Sequence, residues 1–205
     1  MVITGISTGI LGVNCYIAAV DDGAYIIDAP DHLERVFRTL RERSLKPLAV
    51  LLTHAHYDHI LGLGEIRAEY PGLDIYLSQD DLFLVEDGCK GNRALLGSYS
   101  PINEYLDNIP SDFKYYGAAI GPFEVLKTPG HTPGSVSLYS KENKVLFSGD
   151  TLFSGSVGRV DLGGSYSDML STIEKLKQLD EDINVLPGHG EYTTIGREKK
   201  VNPYF

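Results

Sequence analysis

Three imidazoles and one carboxylate lie within six residues of the segment 53–59 (THAHYDH): His54, His56, Asp58 and His59. Neutral imidazole and carboxylate groups are the usual nitrogen and oxygen ligands of zinc and iron in proteins. A lone histidine is more often a surface or core group, but four such groups buried in one loop without a metal would leave costly unpaired polar atoms. Because the segment directly follows the apolar run 48–52, it predicts a metal-binding loop at the end of a strand.

Three further residues of the same chemical types each follow a predicted strand: His131, Asp150 and His189. The strands preceding them are 123–128, 145–148 and 183–186. If these strands lie side by side, their ends bring the three side chains to one edge of the sheet beside the 53–59 segment, where sites are usually built. His32 has no such context and is expected to be a solvated side chain in the first turn of a helix.

Seven candidate ligands are too many for one tetrahedral ion. They suit two ions that share a bridging carboxylate and a bridging water or hydroxide, and Asp150 is the expected bridge. We therefore expect zinc as the cofactor, with two ions per chain. The same ligand types could also hold iron or manganese.

The composition of the 205 residues, 42% of them hydrophobic, is that of a globular protein large enough to form a core without disulfides. No linker divides the chain, so we expect one domain over residues 1–205. The net charge of −10, from 18 Lys and Arg against 28 Asp and Glu, argues against nucleic acid or an anionic membrane as partner. Cys15 and Cys89 are the only cysteines, and no apolar run approaches the roughly 18 to 20 residues that cross a bilayer, so a cytoplasmic protein is expected.

The elements that must position these side chains follow from hydrophobic periodicity and turn residues. Strands 2–6, 15–20 and 24–27 predict an antiparallel meander with a turn at 21–23, followed by a helix capped by Asp31. Strands return after residue 123, and a second helix is predicted with Ser165 or Ser167 as its cap. The segment 79–117 is expected to be an irregular connection, either near the site with its tyrosines or a surface excursion.

The chain resembles the metallo-β-lactamase superfamily, specifically its glyoxalase II-like hydrolases that lack a helical C-terminal domain. The resemblance covers nearly the whole sequence. The motifs that carry it are NCY at 14–16, Asp28 after the third strand, THAHYDH at 53–59, PGHTPG around His131, GDTLF around Asp150, GRVD at 158–161 and PGHG around His189. The resemblance implies an α/β fold, namely an αββα sandwich of two mixed β-sheets flanked by helices, with the metal site at one edge.

The resemblance also implies roles for individual residues. The first metal would be held by His54, His56 and His131, the second by Asp58, His59 and His189, and both by Asp150. Asp58 and Asp150 would be the catalytic residues that hold the centre and orient the nucleophile. Asp28 would orient a ligand, a role with a physical basis because a ligating imidazole needs its other nitrogen fixed.

The expected function is a metal-dependent hydrolase of small-molecule thioesters such as S-2-hydroxyacylglutathione, acting through a metal-bridging hydroxide. A thiolate leaving group, whose conjugate acid has a pKa of about 8.5, needs little help from a general acid. An iron-dependent persulfide dioxygenase is the main alternative, suggested by the GRVD segment but not by the Gly-His189-Gly motif. A metal-binding protein without catalysis is a weaker alternative.

Other members of the superfamily fit the residues less well. A β-lactamase is disfavoured because Asp150 stands where those enzymes usually carry cysteine or serine, and a ribonuclease is disfavoured by the charge of −10. The chain stops soon after His189, so the helical domain that contributes glutathione contacts in full-length glyoxalase II is expected to be missing. Arg159 could meet a substrate carboxylate, or it could be a structural partner of Asp161.

Overall fold

The computed structural model describes residues 1–21, 23–97 and 100–205; Asp22 of the predicted turn and Tyr99 of the 79–117 segment therefore lie outside the described residues. The strands in chain order are β1 (Val2–Thr8), β2 (Val13–Val20), β3 (Gly23–Ile27), β4 (Lys46–Leu51), β5 (Ile75–Leu77), β6 (Lys114–Tyr115), β7 (Ala119–Ile120), β8 (Phe123–Lys127), β9 (Val136–Ser140), β10 (Val145–Gly149), β11 (Leu152–Phe153), β12 (Ser156–Val157), β13 (Asn184–Pro187) and β14 (Thr193–Thr194). The α-helices are α1 (Glu34–Glu42), α2 (Leu63–Glu69), α3 (Leu82–Leu96), α4 (Tyr166–Leu176) and α5 (Ile195–Val201). Within the described ranges, none of these helices has the length and apolar character to cross a membrane.

Two six-stranded sheets contain most of the strands, and β11 and β12 form a separate hairpin. The first sheet has the order β1-β2-β3-β4-β5-β6, with antiparallel pairs from β1 to β3 and parallel pairs from β3 to β6. The second sheet has the order β14-β13-β10-β9-β8-β7, with β10 and β13 parallel and its other pairs antiparallel. Both sheets are therefore mixed.

Alternation along the strands separates the hydrophobic core into layers. In β2, Tyr16 and Ala18 pack toward the second sheet, whereas Cys15 and Ile17 pack with the helices outside the first sheet. Successive side chains of a strand point to opposite faces, so one strand contributes to both layers. A third layer packs α4 and α5 on the outer face of the second sheet, through residues such as Ile173. The predicted αββα sandwich is confirmed.

The strands that precede the candidate ligands end at the same edge of the sandwich. In the second sheet β8 and β10 are each antiparallel to β9, so they run in the same direction, and β13 runs parallel to β10. Their carboxyl ends therefore point the same way, as the sequence predicted. Across the sandwich, the segment that follows β4 contacts the second sheet directly, because Val136 N donates a hydrogen bond of 2.8 Å to Thr53 O.

The first helix is capped differently from the prediction. Asp31 does not cap α1, and no side chain of the residues just before the helix does so. Asp31 Oδ1 instead accepts a hydrogen bond of 3.1 Å from Ile10 N, in the turn between β1 and β2. The backbone N–H groups of His32 and Leu33 donate to the Glu65 carboxylate of α2, at 2.9 and 3.0 Å. The N–H groups of the two residues before the helix are thus satisfied by a neighbouring helix, which a local capping pattern cannot show.

The predicted irregular connection at 79–117 is also corrected. It contains α3, a 3-10 stretch at Pro101–Asn108 and the edge strand β6. α3 is interrupted at 86–89, where the backbone leaves helical geometry and Asp87, Gly88 and Cys89 have positive φ. This interruption, together with the Gly-Asn and Ser-Pro pairs, disguises the helix in the sequence.

Candidate metal centre

The first group of candidate ligands combines two loops from different sheets. His54 and His56 lie in the loop after β4, and His131 lies in the loop after β8. All three side chains are buried, and their nitrogens are close enough together to hold one ion. His56 Nδ1 and His131 Nε2 face each other at 2.8 Å.

Backbone carbonyls fix the tautomers of these two rings. His56 Nε2 lies 3.1 Å from Leu162 O, and His131 Nδ1 lies 2.7 Å from Arg159 O. A carbonyl oxygen can only accept, so the ring nitrogen that faces it carries the hydrogen. In the neutral rings, the two nitrogens that face each other at 2.8 Å both present lone pairs. Two lone pairs at that distance repel each other, and a cation bound by both nitrogens removes the conflict.

The third ring of this group is oriented through a hydroxyl. Thr53 Oγ1 lies within hydrogen-bond distance of both Asp28 carboxylate oxygens, at 3.1 and 2.9 Å, and it therefore donates to that carboxylate. The same hydroxyl lies 3.1 Å from His54 Nδ1 and accepts its hydrogen. His54 Nε2 therefore carries no hydrogen, and its lone pair is available to bind a metal ion in the site.

The second group consists of Asp58, His59 and His189. His59 Nδ1 donates to Asp28 Oδ2 at 2.9 Å, so its Nε2 faces the site. His189 Nε2 lies 3.2 Å from Asp58 Oδ2, and His59 Nε2 lies 3.8 Å from the same oxygen. Nitrogen and carboxylate donors again converge on one point.

Asp150 lies between the two groups. Its Oδ1 is 3.4 Å from His59 Nε2, and its Oδ2 is 3.6 Å from both His131 Nε2 and His189 Nε2. A side chain at position 188 would displace this carboxylate, because a Cβ added to Gly188 would lie 2.2 Å from Asp150 Oδ1. The carboxylate of Asp150 therefore lies within 3.6 Å of histidine nitrogens of both groups.

Three buried polar atoms of this cluster have no hydrogen-bond partner in the described part of the chain: His54 Nε2, His59 Nε2 and Asp150 Oδ1. Buried polar atoms are normally paired, and each orphan is costly. All three orphans face the points where the nitrogens and carboxylates converge. The donor set and its unpaired atoms therefore fit a centre of two divalent cations.

The charges of the two groups differ. Burial, reinforced by the neighbouring histidines, lowers the pKa of His54 well below its usual value and that of His56 to about 4. Burial opposes the charged form of His59 as well, but the carboxylates of Asp150, Asp28 and Asp58 outweigh it and raise the pKa of His59. His54 and His56 are therefore neutral at pH 7, whereas His59 lies among carboxylates that favour its protonated form.

Asp28, which the sequence predicted to orient a ligand, contacts His59 of the second group and Thr53, which adjoins His54 of the first. It is buried, and Thr53 N donates to its Oδ1 at 2.8 Å. It holds His59 directly and His54 through the Thr53 hydroxyl. One carboxylate thus fixes, in each group, the ring nitrogen that points away from the site. Such hydrogen bonds orient ligating imidazoles and make them more basic.

Asn14 belongs to the NCY motif, but its contacts were not predicted from the sequence. Its Nδ2 donates to Pro187 O and Gly190 O, both at 3.0 Å, and its backbone N donates to Gly188 O at 2.7 Å. Asn14 therefore forms hydrogen bonds with the loop on both sides of His189. The asparagine directly at the start of β2 was the available signal.

Two predicted side chains lie apart from the cluster. The His32 side chain is 60% exposed beside Asp31, as the sequence predicted. The Arg159 guanidinium makes a bidentate pair with Asp161, with bonds of 2.6 and 2.5 Å, and both side chains are largely exposed. Within the described chain, the contact of Arg159 with the centre is its backbone carbonyl on His131.

The two-sheet sandwich and the cluster of candidate ligands at its edge are the features of the metallo-hydrolase superfamily. The metallo-beta-lactamase superfamily domain matches residues 8–189, and the chain belongs to this superfamily. It is 38% identical to the probable metallo-hydrolase YqgX of Bacillus subtilis, over 96% of this chain and 93% of that protein. It is 36% identical to the hydroxyacylglutathione hydrolase GloC of Haemophilus influenzae, over 93% of this chain and 92% of that protein.

Solved structures give the same assignment. The crystal structure of TTHA1623 in a di-iron-bound form superimposes with a TM-score of 0.86 at 35% identity, covering 98% of this chain and 100% of that one. The crystal structure of the BLEG-1 B3 metallo-beta-lactamase superimposes with a TM-score of 0.85 at 36% identity, covering 99% of each chain. The di-iron neighbour and the donor cluster support a dinuclear metal site.

Proposed function

We propose that this protein is a dinuclear metal-dependent hydrolase of small thioesters, with S-2-hydroxyacylglutathione as the leading substrate class and zinc as the native metal. The observation that carries the proposal is the pair of donor groups joined by Asp150, with orphaned atoms of both groups facing the convergence points. The similarity to GloC supports the substrate class.

The residues divide the work as follows. His54, His56 and His131 would hold one ion, Asp58, His59 and His189 the other, and Asp150 both. Divalent ions bound here would supply Lewis acidity, lowering the pKa of water and polarising a substrate carbonyl. Asp28, Thr53 and the carbonyls of residues 159 and 162 keep the ligand nitrogens aimed inward, so the centre is organised before substrate arrives.

Substrate access is from one side. The side chains of His54 and His59 are buried, whereas that of His189 is 28% exposed and that of Asp58 13%. The Phe153 ring packs near the His189 ring, at 6.4 Å between centroids, and provides an apolar surface at this opening. A reacting carbonyl would therefore approach over His189 and Asp58.

The charge state of the carboxylates favours a good leaving group. Burial opposes ionisation of Asp58 and Asp150, but the surrounding histidines outweigh it and lower both pKa values. Neither carboxyl is then available at neutral pH to protonate a departing amine. A thiolate, whose conjugate acid has a pKa of about 8.5, leaves without that proton.

The test measures metal content and hydrolysis together. Purified protein should contain about two divalent ions per chain by elemental analysis, hydrolyse S-lactoylglutathione, and lose both properties in the His54→Ala and Asp150→Ala variants. A single ion in fully active protein would rule out the dinuclear centre. Full occupancy by two ions with no turnover of any acyl thioester would refute the substrate class while leaving the metal centre intact.

Two other reactions are arms of the same test. β-Lactam hydrolysis is favoured by the similarity to BLEG-1, and measurable turnover of nitrocefin exceeding that of thioesters would replace the proposal. Oxygen uptake with glutathione persulfide by an iron-loaded protein would point instead to a persulfide dioxygenase. We expect thioester hydrolysis to dominate both reactions.

A further inference from the structure

We propose that Asp81 and Asn92, on the segment that carries α3, are positioning residues that set the distance between the two loops of the first donor group. This inference rests on the metal centre proposed above. It also assigns a role to part of the 79–117 segment, for which the sequence left open whether it lies near the site or forms a surface excursion.

Asp81 joins the two loops through one carboxylate. Its Oδ2 accepts from Ala55 N at 3.0 Å and from Thr132 Oγ1 at 2.8 Å, and its Oδ1 accepts from Gly134 N at 2.7 Å. Ala55 is the residue between His54 and His56, and Thr132 directly follows His131. The carboxylate thus bonds both loops that carry the three histidines.

Asn92 forms a hydrogen bond with the carbonyl group of Ala55. Its Nδ2 donates to Ala55 O at 2.8 Å and to Leu84 O at 3.0 Å. The N–H and the C=O of Ala55 are therefore both held by side chains of one segment. Because Ala55 is the single residue between two candidate ligands, any rotation of its peptide groups would move both imidazoles.

The packing leaves little freedom for this contact to relax. Asp81 and Asn92 are each fully buried. A Cβ added to Gly134 would lie 2.5 Å from Asp81 Cγ, so the glycine allows the loop after His131 to approach the carboxylate. Burial raises the pKa of Asp81, and the three donors offset that cost only while both loops stay in place.

A purely structural core residue at position 81 would be better apolar, since burying a carboxylate is unfavourable unless it is fully hydrogen-bonded. Two of the three donors are backbone N–H groups and so fix backbone position rather than side-chain packing. The contact distances therefore point to control of ligand geometry at the histidines, through the loops and without contact with the metal itself.

The experiment compares Asp81→Asn with wild type in three measurements. Zn²⁺ affinity is measured by competition with a chromophoric chelator, ligand geometry by the absorption spectrum of the Co²⁺-loaded protein, and stability by urea unfolding in EDTA. An amide at this position can no longer accept at both ends, so one loop is released. The affinity for the tighter Zn²⁺ should fall by about 10- to 100-fold, and the Co²⁺ spectrum should change.

Glu198→Gln is the matched control. Glu198 is also a fully buried carboxylate, and it accepts from Gly155 N at 2.7 Å, from Asn202 Nδ2 and Arg197 Nη1 at 2.9 Å each, and from the Thr193 hydroxyl. None of these donors adjoins a candidate ligand. The Glu198→Gln variant should unfold at a lower urea concentration than the wild type. Its Zn²⁺ affinity should stay within about twofold of the wild-type value, and its Co²⁺ spectrum should be unchanged. Equal losses of affinity in both variants would overturn the inference, because they would reflect general destabilisation.

A milder variant covers the case in which Asp81→Asn does not fold. Thr132→Val keeps the side-chain shape and removes one of the three donors, so it should weaken Zn²⁺ binding in the same direction and alter the Co²⁺ spectrum. Wild-type affinity and spectrum in whichever of the two variants folds would overturn the positioning role alone. Absence of tight Zn²⁺ binding in the wild type would remove the metal centre and this inference together.

Discussion

Replacing Asp28 by asparagine should disturb both donor groups at once. The wild-type carboxylate accepts from three donors, Thr53 N at 2.8 Å, Thr53 Oγ1 at 2.9 Å and His59 Nδ1 at 2.9 Å. An amide has the same shape but offers one acceptor oxygen and one donor NH₂ group. It can therefore satisfy only part of this network, whichever way it is oriented.

The size of the effect follows from the two orientations. With the amide oxygen toward His59 Nδ1, the NH₂ group faces Thr53 N–H and leaves a buried donor unpaired, which costs about 1–3 kcal/mol of folding free energy. With the NH₂ group toward His59, the imidazole must carry its hydrogen on Nε2, the atom that faces Asp150 and Asp58. Metal affinity should then fall by about 10- to 100-fold, equivalent to about 1.4–2.8 kcal/mol.

The assay for Asp28→Asn is Zn²⁺ competition with a chelator at fixed pH, with urea unfolding in EDTA measured in parallel. Asp31→Asn is the control, because Asp31 is also buried but accepts from Ile10 N and touches no candidate ligand. We expect the control to retain wild-type Zn²⁺ affinity. Wild-type affinity in Asp28→Asn, or equal losses in both variants, would refute the assignment of Asp28 as the residue that orients the ligands.

Three other predictions follow from the same geometry. Asp58→Ala should keep about one tightly bound ion but lose most hydrolysis, because Asp58 contacts only the second donor group; near-normal turnover would mean that one ion suffices. Uptake of the second ion should release protons at pH 7 and strengthen as pH rises, because the raised pKa values of His59 and His189 keep protons there that the ion must displace. Uptake of the first ion should depend less on pH near neutrality, because the lowered pKa values of His54 and His56 leave those two rings without a proton to displace; equal pH slopes for both ions, measured by Zn²⁺ titration, would contradict this. The Arg159 guanidinium is already paired with Asp161, so we expect it to add little binding energy for the glutathione part of a substrate. The value of kcat/KM for S-lactoylglutathione should therefore exceed that for the lactoyl thioester of a truncated thiol by no more than about tenfold. A preference of about a thousandfold would reveal a glutathione site.

The sequence by itself determined the positions of the candidate ligands and the elements that carry them. Strand periodicity and the residues after each strand placed His131, Asp150 and His189 at one edge, because strands that run in one direction end on one side of a sheet. Ser165 was one of two predicted caps of the second main helix, and its hydroxyl does accept from Asp168 N at 3.3 Å. These features depend on residues close together in the chain, and local spacing encodes them directly.

Only the tertiary structure decided how the ligands are held. The tautomers of His56 and His131 depend on carbonyls 106 and 28 residues away, and the N–H groups just before α1 are bonded by Glu65 on another helix. The role of Asp81, directly before α3, was hidden for the same reason, since its carboxylate bonds Ala55 and Gly134, 26 and 53 residues distant. A hydrogen bond between distant segments leaves no periodic trace in the sequence, because it depends on where the packed layers bring each backbone group.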